Sequence, residues 1–404
     1  MCHILKTELF KLGLTLFLIL YCTMPFDLQK AIRPNILALQ PYRCARDDYD
    51  SGVLLDANEN AFGPSLSEPR SGDLNRYPDP LHPDIKERVV SLRKIPSVHN
   101  VFLGVGSDEV IDLLLRIACV PGKDKILITP PTYGMYSVCA QINDVGVVKV
   151  NLDVEEGAYQ LETEAVNQAL KSDPTIKVVF LCSPGNPTST CLNPDSIRAV
   201  LENPDYSGLV VVDEAYIDFV DQTKNPSVST WITKYPNLVV MQTLSKSFGL
   251  AGIRMGVGIA NADVIQILNN TKAPYNISTL TAQVALEALS DKGLETMYQN
   301  IEQLRQQRDL LIEALQNFPV AGVGKIRGAA EGNFLLVEIL NQNGEPCNQR
   351  AEQVYKNLAE SKDVVVRFRG KDYGCTGCLR ISVGTEQEMK TCLKQLEIAL
   401  QEVA

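Results

Sequence analysis

The segment TLSKSFGLAGIRMG, residues 243–256, places Lys246 between two serines and follows it with two glycines and Arg254. It continues a β-rich run that begins at residue 238. A lysine that is partly desolvated at the mouth of a strand has a lowered pKa and becomes a nucleophile toward carbonyl groups. Ser245 and Arg254 can donate to one phosphate, and the glycines allow the backbone to turn tightly around it. The segment therefore predicts a nucleophilic amine beside an anion site.

Two other segments present donors in tight turns. In LGVGSDEV, residues 103–110, a glycine-rich turn leads into a helix at Asp108, where backbone N–H groups can cradle a phosphate. In SPGNPTS, residues 183–189, two prolines and a glycine hold Asn186 rigidly after a buried strand. Each pattern also occurs in ordinary loops, so the interpretation depends on their occurring together.

The segment VVVDEAYIDF, residues 210–219, places a carboxylate where a buried strand ends. Asp213 needs a partner there because an unpaired buried charge is costly, and a protonated heterocycle nitrogen would serve. Tyr216 can add a phenol hydrogen bond. Since ligands of open α/β sheets bind beyond the carboxyl ends of the strands, we expect all these segments to meet in one site.

The pattern from residue 100 onward is that of an α/β protein, because β-rich runs alternate with helical periodicity. Buried runs separated by helices predict a mostly parallel sheet covered on both faces. The predicted strands are 124–129, 145–152, 176–184, 208–216, 238–247 and 254–260, and the predicted helices are 108–119, 131–144, 161–172 and 194–203.

After residue 280 the pattern predicts a second, smaller α+β domain with two or three strands. A long helical stretch over 282–318 should break near Gly293. The further predicted elements are strands at 333–340, 363–370 and 378–384, a helix at 349–360 and a terminal helix from 385. Residues 24–99, richer in Pro, Asn and Asp, are expected to form an arm joined to this domain.

Composition excludes several classes of function. The net charge of −10 argues against a nucleic-acid binder, and the three histidines lack metal-ligand spacing, so we expect no metal site. Eleven scattered cysteines suit a reducing compartment, and we expect a cytoplasmic protein. Cys375 and Cys378 form a C-x-x-C without a second pair, which favours small side chains in a tight loop.

The apolar run LGLTLFLILYCTM, residues 12–24, is too short to span a membrane comfortably. It resembles the apolar core of a signal peptide, yet no small-residue cleavage site follows. Two interpretations stay open: residues 1–23 are an upstream extension outside the fold, with Met24 as the start, or they are a targeting segment. Unpaired cysteine usage favours the first, and we expect no membrane association.

Together, SPGNPT, VVDEAY and SKSFGLAGIR resemble the fold-type I pyridoxal-phosphate aminotransferases in motif and order, and 27 and 33 residues separate Asn186, Asp213 and Lys246. NPTST departs from the family pattern, which commonly has glycine where Ser189 stands. The segments similar to the histidinol-phosphate aminotransferase group are LQPYRCAR (39–46), LLDANEN (54–60), LNRYPDP (74–80), PPTYGMY (130–136), KAPYNIS (272–278) and GCLRISVGT (377–385).

The resemblance implies a large cofactor domain over 100–280 with a mostly parallel seven-stranded sheet, and a small domain over 281–404. It implies pyridoxal 5′-phosphate as cofactor, with Lys246 bonded to it and acting as proton carrier. Asp213 would pair with the pyridine nitrogen, as a catalytic residue beside Lys246 and Tyr216. The other implied cofactor contacts are Asn186 and Tyr216 on the ring oxygen, Tyr133 on the ring face, and Ser107, Asp108, Ser245 and Arg254 on the phosphate.

A homodimer with shared active sites is also implied, because Tyr77 would reach the phosphate of the neighbouring subunit's cofactor. Substrate recognition needs an anion clamp, and guanidinium groups suit both phosphate and carboxylate. The candidates are Arg367 and Arg380, with Tyr42 and Asn58 from the arm. Alternation along the strand puts Arg369 on the same face as Arg367, so the sequence does not separate them.

The implied reaction is transamination between L-histidinol phosphate and 2-oxoglutarate, giving imidazole-acetol phosphate and L-glutamate in histidine biosynthesis. Three alternatives stay open at this point: an aromatic amino-acid aminotransferase of the same family, a phosphothreonine decarboxylase, and a non-catalytic scaffold that keeps the fold. Intact Lys246, Asp213 and Arg254 argue against the scaffold.

Overall fold

Two β-sheets organise the chain in the computed structural model, which describes residues 26–49, 51–68 and 72–403. Sequence interpretations that concern residues 1–23 and Met24 lie outside the described residues. Within the described residues, no helix is both long enough and apolar enough to cross a membrane. The same residues contain no cluster of His, Cys, Asp and Glu suited to a metal ion.

The first sheet has seven strands in the order β1-β7-β6-β5-β4-β2-β3. Strands β2 to β6 pair in parallel, whereas β7 is antiparallel to both β6 and β1. The sheet is therefore mostly parallel and seven-stranded, as predicted. Its strands are β1 Val101–Val105, β2 Lys125–Ile128, β3 Gly146–Lys149, β4 Ile176–Cys182, β5 Leu209–Asp213, β6 Leu238–Thr243 and β7 Met255–Ala260.

Helices cover both faces of this sheet, which explains why its central strands are apolar throughout. In β5, Val210 and Val212 belong to one buried cluster, whereas Leu209 and Val211 belong to the cluster on the opposite face. Asp213 continues the alternation onto the second face, where helix α5 packs. The helices are α1 Leu28–Ala31, α2 Pro34–Leu37, α3 Pro83–Arg93, α4 Gly106–Ala118, α5 Met135–Ile142, α6 Thr163–Ser172, α7 Pro194–Leu201, α8 Ala262–Thr271, α9 Thr279–Ala288, α10 Asp291–Gln316, α11 Asn348–Ser361 and α12 Glu386–Glu402.

The second sheet is antiparallel throughout, with the order β10-β11-β9-β8, and packs against α10, α11 and α12. It has four strands, whereas two or three strands were predicted. The strand predicted over 363–370 is reduced to two residues. The strands are β8 Val323–Arg327, β9 Phe334–Ile339, β10 Arg367–Phe368 and β11 Cys378–Ser382.

Three predicted boundaries differ from the structure. The sequence predicts a glycine-rich turn within residues 103–110, but Val101–Val105 form strand β1. The strand predicted over 238–247 ends at Thr243, so Lys246 lies in the loop that follows. The long C-terminal helical stretch divides before Ser290, whose side chain caps α10, and Gly293 lies inside that helix. The domain limits at residues 100 and 280 stay predictions.

Candidate active site

Polar side chains from both sheets surround one cavity of about 520 Å³ beyond the carboxyl ends of β4, β5 and β6. The structure brings most of the predicted site residues together at this cavity, although their roles in catalysis stay predictions. Those that line it are Ser107, Asp108, Tyr133, Asn186, Asp213, Tyr216, Ser245, Lys246, Arg254, Arg367, Arg369 and Arg380.

Asp213 ends β5 and is only 3% exposed. Its Oδ2 accepts a 2.7 Å hydrogen bond from the hydroxyl of Tyr136, and its Oδ1 accepts one of 3.1 Å from the backbone N–H of Ala215. Burial raises the pKa of Asp213, and these two hydrogen bonds oppose the rise. The carboxylate is thus held in one orientation in a place where an unpaired charge is costly.

Tyr136, which contacts Asp213 directly, is a residue of the candidate site that sequence analysis missed. Its ring stacks on Phe180, with centroids 4.6 Å apart, and meets the ring of Tyr133 edge-on at 5.6 Å. Burial raises the pKa of Tyr136 well above its usual range, so the phenol stays protonated and donates. A tyrosine three residues after Tyr133 on a predicted helix was the available signal, because residues i and i+3 share a helix face.

Lys246 lies in a loop that closes on itself after β6. Leu250 N donates to the carbonyl of Leu244 over 3.1 Å, and Gly249 N donates to the carbonyl of Lys246 over 3.0 Å. The Lys246 ammonium lies 5.7 Å from the ring centroid of Tyr216. Lys246 is exposed in the single chain, yet partial desolvation of its amine lowers its pKa, as does the nearby positive charge of Arg380. The amine therefore loses its proton more readily than a surface lysine does.

An anion cradle forms where α4 begins beside β7. Arg254 Nη2 lies 3.2 Å from Asp108 Oδ2, and Arg254 Nη1 donates to Ser245 Oγ over 3.5 Å. Gly106 has φ = 69°, and a Cβ there would lie 2.3 Å from Arg254 Nη2. A Cβ on Gly256 would lie 2.2 Å from the carbonyl carbon of Gly106. Only glycines allow this close approach of helix, strand and guanidinium.

A second cationic group comes from the four-stranded sheet. Arg367 and Arg380 are cross-strand partners in β10 and β11. Arg380 Nη1 donates to Asn186 Oδ1 over 2.6 Å, whereas its buried Nε has no hydrogen-bond partner among the residues that the structure describes. Burial lowers the pKa of Arg380, and the neighbouring arginines add to that effect. Arg369 pairs with Asp372 at 2.6 Å, but Arg367 forms no ion pair with any described residue. This end of the cavity can bind a further anion.

Three predicted residues do not line the cavity of their own chain. Tyr42 is 68% exposed, Tyr77 is 52% exposed, and Asn58 is exposed as well. Tyr77 stacks on Tyr275 with ring centroids 4.7 Å apart. The roles assigned to these three residues stay predictions.

The arm that carries these residues is held together by Glu59. Its carboxylate accepts hydrogen bonds from Arg46 at 2.5 Å, from Arg76 at 2.7 Å and from the backbone N–H of Tyr77 at 2.7 Å. The hydrogen bond from Arg46, joined by that from Arg76, lowers the pKa of Glu59 to about 2. Two other segments of the arm, around Arg46 and at 76–77, therefore converge on one carboxylate.

A cavity of this composition at the carboxyl edge of a mostly parallel sheet is the arrangement of fold-type I aminotransferases. The profile of the family described as aminotransferase class I and II matches residues 50–396. The chain belongs to this family. The predicted fold class and family resemblance are confirmed.

The membership rests on relatives that align over nearly their whole length. The chain is 50% identical over 393 residues to histidinol-phosphate aminotransferase of Candida maltosa, covering 94% of this chain and 99% of the relative. It is 48% identical to that of Schizosaccharomyces pombe over 386 residues, covering 93% of this chain and 98% of the relative. Within the family, the chain therefore belongs to the histidinol-phosphate aminotransferases.

Solved structures agree in fold. Histidinol-phosphate aminotransferase from Sinorhizobium meliloti in complex with pyridoxal-5′-phosphate superposes with a TM-score of 0.72 at 21% identity, covering 86% of this chain and 90% of that one. The structure of histidinol-phosphate aminotransferase from Clostridium acetobutylicum superposes with a TM-score of 0.69 at 23% identity, covering 81% of this chain and 92% of that one.

Proposed function

We propose that this chain transfers the amino group of L-histidinol phosphate to 2-oxoglutarate, giving imidazole-acetol phosphate and L-glutamate in histidine biosynthesis. The observation that carries the proposal is the presence of two separate cationic groups at one cavity. The cradle of Ser245 and Arg254 suits a cofactor phosphate. Arg367 and Arg380 suit the phosphate of one substrate and a carboxylate of the other, because guanidinium groups bind both.

The residues present fit pyridoxal 5′-phosphate. The close approach at Gly106 leaves backbone donors and Arg254 together for a phosphate. The oriented, buried carboxylate of Asp213 suits a protonated ring nitrogen, and the lowered pKa of Lys246 suits a covalent bond to an aldehyde. Tyr133 would lie against the ring face. When bound, this cofactor supplies an electron sink for the carbanion formed when the substrate Cα loses a proton.

The chain's own groups then divide the work. Once it is no longer bonded to the aldehyde carbon, the Nζ of Lys246 would take the proton from the substrate Cα and hold it for the next transfer. Asn186 and Tyr216 would donate to the ring oxygen, and the guanidinium of Arg380, aligned by Asn186, would orient the anionic end of each substrate. One site serving both substrates in turn implies ping-pong kinetics.

We further propose a cytoplasmic homodimer in which Tyr77 of one subunit serves the site of the other. The exposure of Tyr77 in the single chain supports this assignment. Sedimentation equilibrium would give the oligomeric state, and mixing Tyr77→Phe with Lys246→Ala protein would test sharing. Shared sites predict partial recovery of activity in the mixture, whereas sites confined to one chain predict none.

Donor profiling with 2-oxoglutarate as acceptor tests the reaction. We expect turnover of histidinol phosphate with a kcat/KM at least about 100-fold above that of phenylalanine, since a phosphate paired with two arginines contributes several kcal/mol. Comparable turnover of phenylalanine would favour an aromatic aminotransferase. Borohydride reduction and peptide mapping should place a pyridoxyl tag on Lys246. Its absence from cofactor-loaded protein would contradict the proposal and favour a scaffold.

A further inference from the structure

Ser247, the second serine beside Lys246, points away from the anion cradle. Its side chain is buried, with 5% exposure, and its hydroxyl donates a 2.6 Å hydrogen bond to Oδ2 of Asp218. Ser245, on the other side of the lysine, faces Arg254. The two serines therefore belong to different environments, and the proposed chemistry uses only the first.

Asp218 is anchored in turn by a partly buried cation. Arg93, at the end of α3, donates to its two carboxylate oxygens over 2.7 and 3.1 Å. Burial alone would raise the pKa of Asp218, but the charge and hydrogen bonds of Arg93 outweigh it and lower that pKa. Asp218 is therefore a fixed, ionised acceptor for the Ser247 hydroxyl.

The same guanidinium ties this pair to the sheet. Arg93 Nε donates to Gln242 Oε1 over 2.7 Å, and Gln242 Nε2 donates to Glu214 Oε2 over 2.8 Å. Glu214 also accepts from Ser227 Oγ at 2.6 Å and from Val228 N at 2.7 Å. The network thus joins a helix, strand β6 and the segment after β5, and nearly every donor in it is satisfied from within.

The segment that follows Asp213 contacts the lysine loop twice. Tyr216 places its ring next to the Lys246 ammonium, and Asp218, two residues on, holds Ser247. We propose that Asp218, acting through Ser247, is a positioning residue that aims Lys246 at the cofactor aldehyde. This inference rests on the proposed function. If it holds, the chain of contacts from Arg93 through Asp218 to Ser247 sets how fast and how tightly the amine captures the cofactor, beyond any contribution to folding.

The test compares Ser247→Ala with Ser229→Ala as a matched control. Ser229 is also buried and hydrogen-bonded, through Ser227 Oγ at 2.9 Å, but does not touch the lysine loop. The rate at which apoprotein captures pyridoxal phosphate is followed by the growth of its absorbance band in stopped flow, and the dissociation constant is measured by equilibrium titration. Ser247→Thr keeps the hydroxyl, and the unfolding midpoint of each apoprotein reports stability.

We expect Ser247→Ala to slow capture and weaken binding about tenfold, as the loss of one hydrogen bond to a charged group implies. Ser229→Ala should match the wild type, and Ser247→Thr should recover most of the loss. If the wild type carries the pyridoxyl tag on Lys246 but Ser247→Ala and Ser229→Ala capture the cofactor equally well, this inference alone is overturned. A wild type that captures no cofactor at Lys246 would overturn the proposed function itself.

Discussion

The hydroxyl of Tyr136 donates a 2.7 Å hydrogen bond to Oδ2 of Asp213, and both groups are buried. The stack of Tyr136 on Phe180 fixes the ring that carries this donor. The same ring also meets Tyr133 edge-on, so Tyr136 contacts two residues that we propose bind the cofactor, Asp213 and Tyr133. A helix residue thereby fixes the direction of a carboxyl group on a strand and opposes the rise in its pKa that burial causes.

Tyr136→Phe should weaken pyridoxal phosphate binding about tenfold, since a hydrogen bond to a charged group contributes about 1.5–3 kcal/mol. The bond holds the pKa of Asp213 down against burial, so its loss raises that pKa further. The difference in dissociation constant between Tyr136→Phe and the wild type should therefore grow as the pH falls from 8 to 5. The control is Tyr159→Phe, because the hydroxyl of Tyr159 donates to the Gly374 carbonyl over 2.9 Å. The apoprotein of each variant is titrated with pyridoxal phosphate. Equal dissociation constants across this range would contradict the assignment.

Gly106→Ala should weaken binding of pyridoxal phosphate but leave binding of pyridoxal nearly unchanged. The new Cβ would lie 2.3 Å from Arg254 Nη2, so the guanidinium must leave the cradle. Gly249→Ala is matched in backbone strain, with φ = 66° against 69°, but its Cβ would meet no atom within 4 Å. Titration of each apoprotein with both ligands measures the difference. A similar loss for both variants would attribute the effect to strain alone.

Sequence patterns predicted the central sheet well because its inner strands are buried on both faces and so read as continuous apolar runs. The asparagine, aspartate and lysine positions were predictable because each lies at the end of such a strand or just after it. Strand β1 was missed because Gly104 and Gly106 read as a turn, whereas close packing against Arg254 and Val110 demands them. Tyr136 was missed since its partner, Asp213, lies 77 residues away.

Arg367→Gln should raise KM for a phosphorylated donor more than Arg369→Gln does, which resolves the ambiguity left by strand alternation. Arg369 already pairs with Asp372, whereas Arg367 has no carboxylate partner among the described residues. We expect the rise in KM to be about tenfold larger for Arg367→Gln, which corresponds to about 1.4 kcal/mol of binding free energy. Steady-state kinetics with histidinol phosphate would measure it. A larger effect at Arg369 would show that its pair with Asp372 opens when substrate binds.

Lys246→Met should stabilise the apoprotein at pH 7, and the gain should shrink as the pH approaches 10.5. Burial and Arg380 lower the pKa of Lys246 below the usual 10.5, so the unfolded chain binds its proton more tightly than the folded protein does. Between those two pKa values the unfolded chain carries more protons, and stability rises with pH. Urea unfolding at several pH values gives the comparison. In an Arg380→Gln background the gain should be smaller, and a gain independent of pH would contradict this account.

Ser189 stands where the family commonly has glycine, and its replacement should separate backbone strain from a hydrogen bond. It has φ = 52° and is fully buried, and its hydroxyl accepts a 2.6 Å hydrogen bond from Gly332 N, two residues before β9 begins. Ser189→Ala keeps the left-handed backbone and leaves a buried N–H without a partner, so we expect a loss of about 1–3 kcal/mol in unfolding free energy.

Ser189→Gly loses the same hydrogen bond but relieves the left-handed strain, which costs a non-glycine residue about 1–2 kcal/mol. It should therefore be more stable than Ser189→Ala by about that amount in urea unfolding, because both variants keep the 2.7 Å bond from Glu331 N to the carbonyl of residue 189. If the two variants unfold at the same urea concentration, the serine backbone is not strained. If Ser189→Gly matches the wild type, the strain and the hydrogen bond cancel, and the hydroxyl compensates for the departure from glycine.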